Sequence, residues 1–447
     1  MDILKQKFAE KAAALFQENK ELLKNHGHVK LCDVTIDQAF KGMRDIKCMI
    51  WETSELDAND GIRFRGYSIN QLRAQLPRVP NGREPMPEGL FWLMLTGDIP
   101  TNEEAYWLSD QWKQRAEVPK HVFDMLESLP KNTHPMTQFS MAILAMQNDS
   151  IFAKKYDEGM GKDEYWDAYY EDSMNLIAKL PRIAAYIYRR SFHDSKHIAP
   201  DPNLDWGGNY AHMLGNSDDP MFKTLMRLYL TIHADHEGGN ASAHAAHLVG
   251  STLSDPYYSL SGGINALAGP LHGLANQEVI KWILDMIEEL GTNTPTNDEL
   301  SDFIHRTLEE GKVIPGYGHA VLRQPDPRYI AQRHFAEEYI KEDPIVNIVW
   351  RLFTIVPPIL QDLGKVKNPW PNVDAHSGAL LMHYGMNEFS YYTVLFGVSR
   401  ALGVLAAGIW SRALGMPLER PKSMTSKAVK KFIEDLQAAN ALKQSNL

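Results

Sequence analysis

The apolar residues of this chain recur mostly at the spacing of amphipathic helices. Residues 276–290 place their apolar side chains on one helical face, with Asn276 as the predicted N-cap and Gly291 just beyond the end. That face consists of Val279, Ile283, Met286, Ile287 and Leu290. A similar pattern over residues 174–190 crosses Pro181, where we expect a kink or a break because proline removes a helical hydrogen bond.

Three further helix starts are marked by residues that satisfy free backbone N–H groups. An aspartate-proline pair precedes helical patterns at 219–220 and at 343–344, and Thr101 with Glu104 has the spacing of a capping box. The stripe that follows the first of these pairs is formed by Phe222, Leu225, Tyr229 and Ile232. These signals predict helices in the middle and later parts of the chain as well.

Strand patterns are confined to the first 64 residues. Residues 29–36, 47–52 and 62–64 are candidates, and the last follows the turn sequence at 59–61. They predict one or two small hairpins, and no strand–helix alternation indicates a parallel sheet. The predicted fold is all-α with a small N-terminal β element.

One apolar run is long enough to span a membrane. Residues 391–410 contain a single charge, Arg400, and glycines at 397, 403 and 408. We interpret the run as a buried core helix, because an arginine at mid-span is costly in lipid and the glycines suit close packing. A buried guanidinium needs a partner, which is either an anionic ligand or an internal carboxylate.

Composition narrows the class of protein. A length of 447 residues predicts at least two domains, and the net charge of −10 argues against a nucleic-acid-binding protein, whose binding depends on a basic face. Cys32 and Cys48 are the only cysteines, which favours a reducing compartment. Acidic residues among the lysines of the first 25 residues do not fit a signal or transit peptide, so we expect a presequence to be absent or removed.

Glycine-rich stretches suggest where domains meet. The first comprises glycines at 262–263 and residues 269–273, and the second is residues 364–378, which also contain two prolines. Short segments of this kind can absorb the backbone rotation of a hinge. We therefore expect the residues between them to form a smaller insert domain.

Three short glycine-flanked segments each carry one acid or base side chain. They present His272, His319 and Asp374. Two histidines and an aspartate held this way can move a proton off carbon at neutral pH. A buried structural histidine remains the alternative for His272, and a turn-capping aspartate remains the alternative for Asp374.

Four histidines at 233, 236, 244 and 247 have spacings that a metal site could use. Hydrogen-bonding residues in a packed interior are the alternative, and no cysteine or acidic partner completes a known ligand pattern. His236, with Gly238 and Gly239 close behind it, is the strongest ligand-binding candidate of the four. We predict no metal, and a metal-dependent hydrolase is the alternative of another class.

Basic residues beside prolines offer candidate anion contacts. Arg328 and Arg420 flank prolines, and Lys365 and Lys367 precede Asn368. Each alone is better explained as a surface charge. Together with Arg400 and His236 they become informative only if they converge on a polyanion.

Five further motifs accompany the glycine-flanked segments. They are residues 61–69 (GIRFRGYSI), 90–93 (LFWL), 233–240 (HADHEGGN), 397–403 (GVSRALG) and 417–423 (PLERPKS). The ordered set closely resembles the citrate synthase family in its eukaryotic, mitochondrial type, from about residue 29 to about residue 423. The resemblance implies an all-α homodimer in the mitochondrial matrix, with a large domain (1–273 and 381–447) and a small mobile domain (274–380).

The resemblance also implies an acyltransferase activity. Such an enzyme condenses acetyl-CoA with oxaloacetate and hydrolyses citryl-CoA to citrate and CoA, with no cofactor and no metal. A 2-methylcitrate synthase using propionyl-CoA is the nearest alternative, because one methylene shifts discrimination by only about 1–3 kcal/mol.

Residue roles follow from the same resemblance. Asp374 is the implied base, His272 the hydrogen-bond donor to the thioester oxygen, and His319 the residue acting on the oxaloacetate carbonyl. Oxaloacetate would be bound by His236, Arg328, Arg400 and, from the partner subunit, Arg420. The implied coenzyme A contacts are Arg44, Lys162, Val313, Ile314, Pro315, Gly316, Tyr317, Gly318, Arg323, Lys365, Lys367 and Asn372. Lys162 stands where mitochondrial relatives carry an arginine, so the bidentate geometry is lost there.

Overall fold

Twenty α-helices make up most of the part that the structure describes, residues 2–364 and 366–445 of a computed structural model. The helices are α1 Ile3–His26, α2 Ile36–Phe40, α3 Ile69–Gln75, α4 Pro87–Thr96, α5 Asn102–Arg115, α6 Lys120–Ser128, α7 Pro135–Ala145, α8 Ile151–Asp157, α9 Tyr165–Phe192, α10 Trp206–Leu214, α11 Pro220–Ile232, α12 Ala241–Ser251, α13 Pro256–Leu267, α14 Ala275–Leu290, α15 Asn297–Glu309, α16 Pro327–Tyr339, α17 Pro344–Asp362, α18 Asp374–His383, α19 Tyr392–Ala413 and α20 Ser426–Ser445. Short 3-10 helices lie at Gln147–Asp149, Lys162–Glu164 and Phe389–Tyr391. The predicted all-α fold is confirmed.

A single small antiparallel sheet is the β element of the described residues. It contains β1 Ser54–Asp57, β2 Gly61–Phe64 and β3 Tyr67–Ser68, in the order β1-β2-β3. The predicted strand at 62–64 is confirmed, whereas the strands predicted at 29–36 and 47–52 are wrong. Those segments have apolar alternation but pair with no neighbouring strand, and a strand is stable only with a hydrogen-bonding neighbour.

The long apolar run forms the central core helix. Within the part of the chain that the structure describes, two helical segments are apolar and long enough to cross a membrane, Pro344–Asp362 and Phe389–Ala413. In the second, 94% of the most apolar window is buried within the fold. Helix α19 packs against α4, α9, α12 and α13. Its glycines allow close approach, since a Cβ at Gly408 would lie 2.5 Å from the Tyr169 ring. The prediction of a buried core helix is confirmed.

Helix α9 continues through Pro181, where the sequence predicted a kink or a break, and the structure shows no break there. Proline frees the carbonyl four residues earlier, which here belongs to Ile177. The indole Nε1–H of Trp206 donates to that carbonyl oxygen at 2.8 Å. A tertiary contact therefore replaces the missing helical bond and the helix continues.

Helix boundaries were predicted well where caps are local. Asp219, Asp343 and the Thr101 capping box all begin helices as predicted. Asn276 is wrong as the N-cap of α14, because the helix begins one residue before it and Leu274 holds the cap position. Likewise the glycines at 262–263 lie inside α13, packed on α12, and not in a flexible stretch.

Candidate active site

The loop between α11 and α12 is held by one buried carboxylate. Oδ2 of Asp235 accepts hydrogen bonds from Trp51 Nε1 (2.9 Å), Thr53 Oγ1 (2.5 Å) and Ser54 Oγ (2.8 Å), and its Oδ1 accepts from the backbone N–H of His236 (3.0 Å). Ser54 at the start of β1, together with Trp51 and Thr53 just before it, therefore sets the position of His236.

His236 is buried and neutral. Burial, with Arg328 and the other nearby cationic and imidazole groups, holds its pKa well below the usual range of histidine. Its Nε2 is buried and makes no hydrogen bond to the described residues. A buried polar atom without a partner is unusual and indicates a position that a ligand completes.

The other three histidines of the run serve separate structural contacts. His233 donates from Nδ1 to the Tyr229 carbonyl (2.9 Å), and His244 meets Glu419 (2.9 Å). His247 contacts Ser411 at 3.3 Å. The described residues contain no group of three or more His, Cys, Asp or Glu side chains arranged to hold a metal. The hydrogen-bonding interpretation of the run is therefore the one the geometry favours.

Arg400 is a buried cation with only neutral partners. Its Nη1 donates to Asn240 Oδ1 (2.8 Å) and to Ser242 Oγ (3.0 Å), its Nε donates to the His233 carbonyl (3.3 Å), and its guanidinium lies over the Phe396 ring. Within the described residues it forms no ion pair with a carboxylate. The internal salt bridge that the sequence allowed is therefore not there, and burial lowers the pKa of Arg400 to about 10.

Ser242 joins Arg400 to His272. The Ser242 hydroxyl accepts from Arg400 Nη1 at 3.0 Å and lies 2.9 Å from His272 Nε2, and the Ser242 backbone N–H donates to the same Nε2 at 3.2 Å. Because Nε2 accepts this bond, the proton of the neutral imidazole is on Nδ1. Burial and the charge of Arg400 lower the pKa of His272 to about 4, so the neutral form dominates at physiological pH.

His319 is assigned the opposite tautomer by its own loop. The backbone N–H groups of Val321 and Leu322 donate to its Nδ1 at 3.0 and 3.1 Å, which places the proton on Nε2. Its ring lies 5.4 Å from the ring of His236, centroid to centroid. Burial and Arg328 lower the pKa of His319 to about 4, so this side chain also offers a neutral N–H donor.

Arg328 sits at the start of α16 and is oriented by Asp326. Nε and Nη2 of Arg328 donate to both carboxylate oxygens of Asp326, at 2.7 to 3.2 Å, and both residues are buried. The pair is rigid, and Nη1 makes no hydrogen bond to the described residues. The fork therefore retains a donor that an anionic ligand can use.

Asp374 is the first residue of α18, and Val373 holds the N-cap position of that helix. The backbone N–H of Asp374 donates to Asn372 Oδ1 at 3.0 Å, which leaves its carboxylate facing the site. Burial raises the pKa of Asp374 to about 6, a shift that Arg328 and Arg400 partly oppose. A carboxylate with this pKa is ionised at physiological pH and is a stronger base than an exposed aspartate.

Six of the predicted residues therefore form one cluster. Their rings, hydrogen bonds and mutual charge effects connect them, and they are His236, His272, His319, Arg328, Asp374 and Arg400. Five of them lie in loops or at helix starts, whereas Arg400 lies in the middle of α19, and they are separated by up to about 160 positions in the sequence. The arrangement combines one base (Asp374), two neutral N–H donors (His272 and His319), two cations (Arg328 and Arg400) and the neutral imidazole of His236.

The segment 313–318 runs beside residues 370–372. Gly318 N–H donates to the Trp370 carbonyl (3.0 Å), and the Asn372 side chain donates to the Gly318 carbonyl (3.1 Å). A Cβ at Gly316 would lie 2.9 Å from the Ala375 Cα atom, so glycine is required for the close approach. Asn372 thus ties the His319 loop to the start of the Asp374 helix.

The remaining members of this segment differ in exposure. Val313 is 79% exposed, Ile314 is buried, and Pro315 and Tyr317 are partly buried. Because Val313 is exposed and Ile314 is buried, the outer edge of the segment is accessible to a large ligand.

The predicted phosphate contacts are not joined to the cluster by any hydrogen bond or ion pair within the described residues. Arg44, Lys162 and Lys367 are exposed, and so is Arg420, which the resemblance assigns to oxaloacetate in the site of the partner subunit. The guanidinium of Arg323 is engaged by the carbonyls of residues 320–322. Lys365 lies outside the described residues.

Sequence reasoning missed the residues that orient the cluster. Ser242 had no distinguishing signal, and the roles of Asp235, Asn240 and Asp326 were not recognised although they lie beside predicted residues. Asp326 precedes a proline and an arginine, and this aspartate-proline pattern at a helix start could have identified it as the partner of Arg328.

Comparison with known proteins agrees with this geometry. The family model described as "Citrate synthase, C-terminal domain" matches residues 42–422. "Citrate synthase, mitochondrial" of Kajikia audax is 56% identical over 91% of this chain and 87% of its own length. "Probable citrate synthase, mitochondrial" of Glossina morsitans morsitans is 54% identical over 96% of this chain and 92% of its own.

A solved structure has the same fold. The citrate synthase of Pyrobaculum aerophilum is 28% identical, with a TM-score of 0.74 over 86% of this chain and 92% of its own. The match of sequence over nearly the whole chain, together with the match of fold and the clustered acid, base and arginine side chains, leads to one conclusion: the chain belongs to the citrate synthase family.

Proposed function

We propose that this mitochondrial citrate synthase carries out its condensation in the cluster around Arg400, with Asp374 as the base. The enzyme is an acyltransferase that joins acetyl-CoA to oxaloacetate and hydrolyses citryl-CoA to citrate and CoA. One observation carries the residue assignment: Arg400 is buried without a carboxylate partner, next to a buried His236 Nε2 that also makes no hydrogen bond to the described residues. One anionic ligand with carboxylate oxygens would supply both the missing carboxylate partner of Arg400 and the missing hydrogen bond of His236 Nε2.

Oxaloacetate supplies those oxygens. Its two carboxylates would be bound by Arg400 and Arg328, with His236 Nε2 as a further polar contact and Arg420 of the partner subunit as a third cation. The rigid Asp326 pair holds the Arg328 fork in place, so little side-chain entropy is lost on binding. His319 then directs its Nε2–H at the ketone oxygen and polarises the carbonyl.

Acetyl-CoA is activated on the other side of the cluster. The Asp374 carboxylate removes a proton from the methyl carbon while His272 donates its Nδ1–H to the thioester oxygen, where negative charge develops. A neutral imidazole suits this role because its acidity is closer to that of an enol than an imidazolium's. Ser242 fixes the tautomer that the step needs.

The carbon–carbon bond then forms between the enolised methyl carbon and the ketone carbon of oxaloacetate. The oxygen of the former ketone takes the Nε2 proton of His319, and the proton that Asp374 removed from the methyl carbon restores the neutral imidazole, which yields citryl-CoA. Water then attacks the thioester carbonyl: its oxygen stays on the acyl carbon, one of its protons goes to the sulfur of the leaving CoA thiol, and the new carboxylic acid releases the other proton to solvent. Acetyl-CoA enters as a substrate; the proposal uses no cofactor and no metal.

Coenzyme A would lie along residues 313–318, with the exposed side of Val313 toward its adenine. Lys367, Lys365, Arg323, Lys162 and Arg44 would face its phosphates. The exposed side chains of Arg44, Lys162 and Lys367 suit this role because they can bring their charge to a phosphate without leaving a buried contact. Arg323 must release its bonds to the carbonyls of residues 320–322 to take part.

The pH dependence of the reaction should report Asp374. A base must be deprotonated, and the pKa of Asp374 is raised to about 6, so kcat/KM for acetyl-CoA should fall as the pH drops through about 6. His272 and His319 have pKa values lowered to about 4, so they remain neutral across that range and cause no further change in kcat/KM there. Steady-state rates between about pH 5 and 8 measure this, and a flat profile would contradict the assignment.

We further propose a homodimer whose sites share Arg420 between subunits, with residues 274–380 as a small mobile domain of each subunit. Mixed dimers test the sharing. An Arg420→Ala subunit paired with an Asp374→Asn subunit contains one site with Asp374 intact and Arg420 supplied by the partner. Random pairing of the two inactive chains should then recover about one quarter of wild-type activity.

The result distinguishes two arrangements of the active site. If Arg420 acts within its own subunit, no mixed dimer contains an intact site and co-expression recovers nothing. Refolding each variant alone provides the control, because neither homodimer should gain activity.

A further inference from the structure

The tip of the β1–β2 hairpin touches the loop that carries His319 and Arg328. The backbone N–H of Arg323 donates to the Ala58 carbonyl at 2.7 Å. Gly61 lies against Pro327, since a Cβ on Gly61 would be 2.5 Å from two carbons of the proline ring. Pro327 directly precedes Arg328, so the hairpin meets the middle and the end of the loop 319–328.

The base of the same hairpin is attached to the opposite side of the cluster. Thr53 and Ser54 donate to Asp235, the residue before His236, and the backbone N–H of Glu237 donates to Ser54 Oγ at 2.9 Å. Helix α3, which follows the hairpin, also packs against α16, the helix that Arg328 begins. One short element therefore contacts the supports of both His236 and Arg328.

The tip has the local stiffness that such a contact requires. Asp57 accepts hydrogen bonds from the backbone N–H groups of Asn59 (2.7 Å) and Asp60 (2.8 Å), and Asp60 pairs with Arg63 at 2.6 Å. The turn is thus closed by its own side chains, and the Ala58 carbonyl points outward to accept the bond from Arg323.

We propose that the β1–β2 hairpin is a positioning element for oxaloacetate, which through Ala58 and Gly61 fixes the 319–328 loop at the distance from His236 that the substrate needs. This inference rests on the proposed roles of His319 and Arg328. Gly61 is then a positioning residue that itself touches no substrate.

Two glycines of the sheet allow a matched test. Gly61 (φ +81°) and Gly66 (φ +87°) both have left-handed backbone conformations, so alanine strains either position. A Cβ at Gly66, however, meets nothing within 4 Å, whereas a Cβ at Gly61 meets Pro327. Gly61→Ala should therefore separate tip and loop, and Gly66→Ala should reproduce only the strain.

The expected result is a selective defect in oxaloacetate use. Gly61→Ala should raise KM for oxaloacetate and lower kcat/KM by about 10- to 100-fold, the effect of a displacement near 1 Å. KM for acetyl-CoA should change far less, and Gly66→Ala should keep both KM values near wild type. Equal kinetics in the two variants, or equal loss for both substrates, would overturn the proposal.

Two more variants test the role of the hairpin independently of whether the Gly61→Ala protein folds. Pro327→Ala removes the two ring carbons that clash, so the Gly61→Ala/Pro327→Ala double variant should regain oxaloacetate affinity relative to Gly61→Ala. Asp57→Ala introduces no clash but frees the turn, and should raise KM for oxaloacetate by a smaller factor. The inference would be contradicted if the double variant regained no affinity and Asp57→Ala had no effect on KM for oxaloacetate. Such a result would not bear on the roles of Asp374 and Arg400, which separate experiments test.

Discussion

Asp374→Asn should lower kcat by roughly 100- to 10,000-fold, the usual contribution of a positioned general base. Asparagine keeps the shape of the side chain but cannot accept the methyl proton. Oxaloacetate affinity should stay close to wild type, because the cations and His236 that bind it are unchanged. Thiol release from acetyl-CoA measures turnover, and calorimetric titration with oxaloacetate measures binding.

The stability of this variant provides an internal check. A carboxyl whose folded-state pKa is raised favours the fold when protonated, so its contribution is lost as the pH rises through about 6. Removing the charge should therefore leave the protein at least as stable at pH 8. Asp285→Asn, an exposed aspartate of α14, is the matched control and should keep full turnover. Unchanged kcat in Asp374→Asn would remove Asp374 from the mechanism.

Arg400→Met should nearly abolish oxaloacetate binding without weakening the fold. Removing one partner of a buried charge contact costs roughly 2–5 kcal/mol, or about 30- to 5,000-fold in affinity. The free protein should melt at an equal or higher temperature, since a buried cation without a carboxylate partner is unfavourable and methionine fills similar space. The rise in melting temperature that oxaloacetate produces in the wild type should disappear.

Helix α19 offers a second buried arginine as the control. Arg412 also forms no ion pair with a carboxylate of the described residues and donates only to the Met416 carbonyl at 3.3 Å. It lies twelve residues further along α19, about 18 Å along the helix axis. Arg412→Met should change stability but leave KM for oxaloacetate unaltered. A wild-type response to oxaloacetate in Arg400→Met would show that the ligand binds elsewhere.

These two experiments separate functions that one cluster combines. Arg400 binds a ligand that is charged before the reaction begins, so its loss appears in affinity. Asp374 acts on a proton that moves only in the transition state, so its loss appears in kcat. A cluster assembled only for structural reasons would show neither pattern.

Helical periodicity and local caps were readable from the sequence because they depend on residues within one or two turns. The stripe that begins at Phe222 and the core helix around Arg400 were predicted in this way. The strands expected at 29–36 and 47–52 were wrong because strand formation depends on a distant partner. The same limitation explains Pro181, whose helix is continued by the indole of Trp206.

The sequence by itself determined the helical fold class, the family and the acid, base and arginine side chains. Those features depend on residue type and order, which need no coordinates. Only the tertiary structure decided that Arg400 has no carboxylate partner among the described residues. It also decided that Ser242 and the 319–322 loop assign opposite tautomers to His272 and His319, and that Asp374 has a raised pKa. Charge, protonation and tautomer depend on neighbours brought together from distant positions, and folding alone determines which neighbours those are.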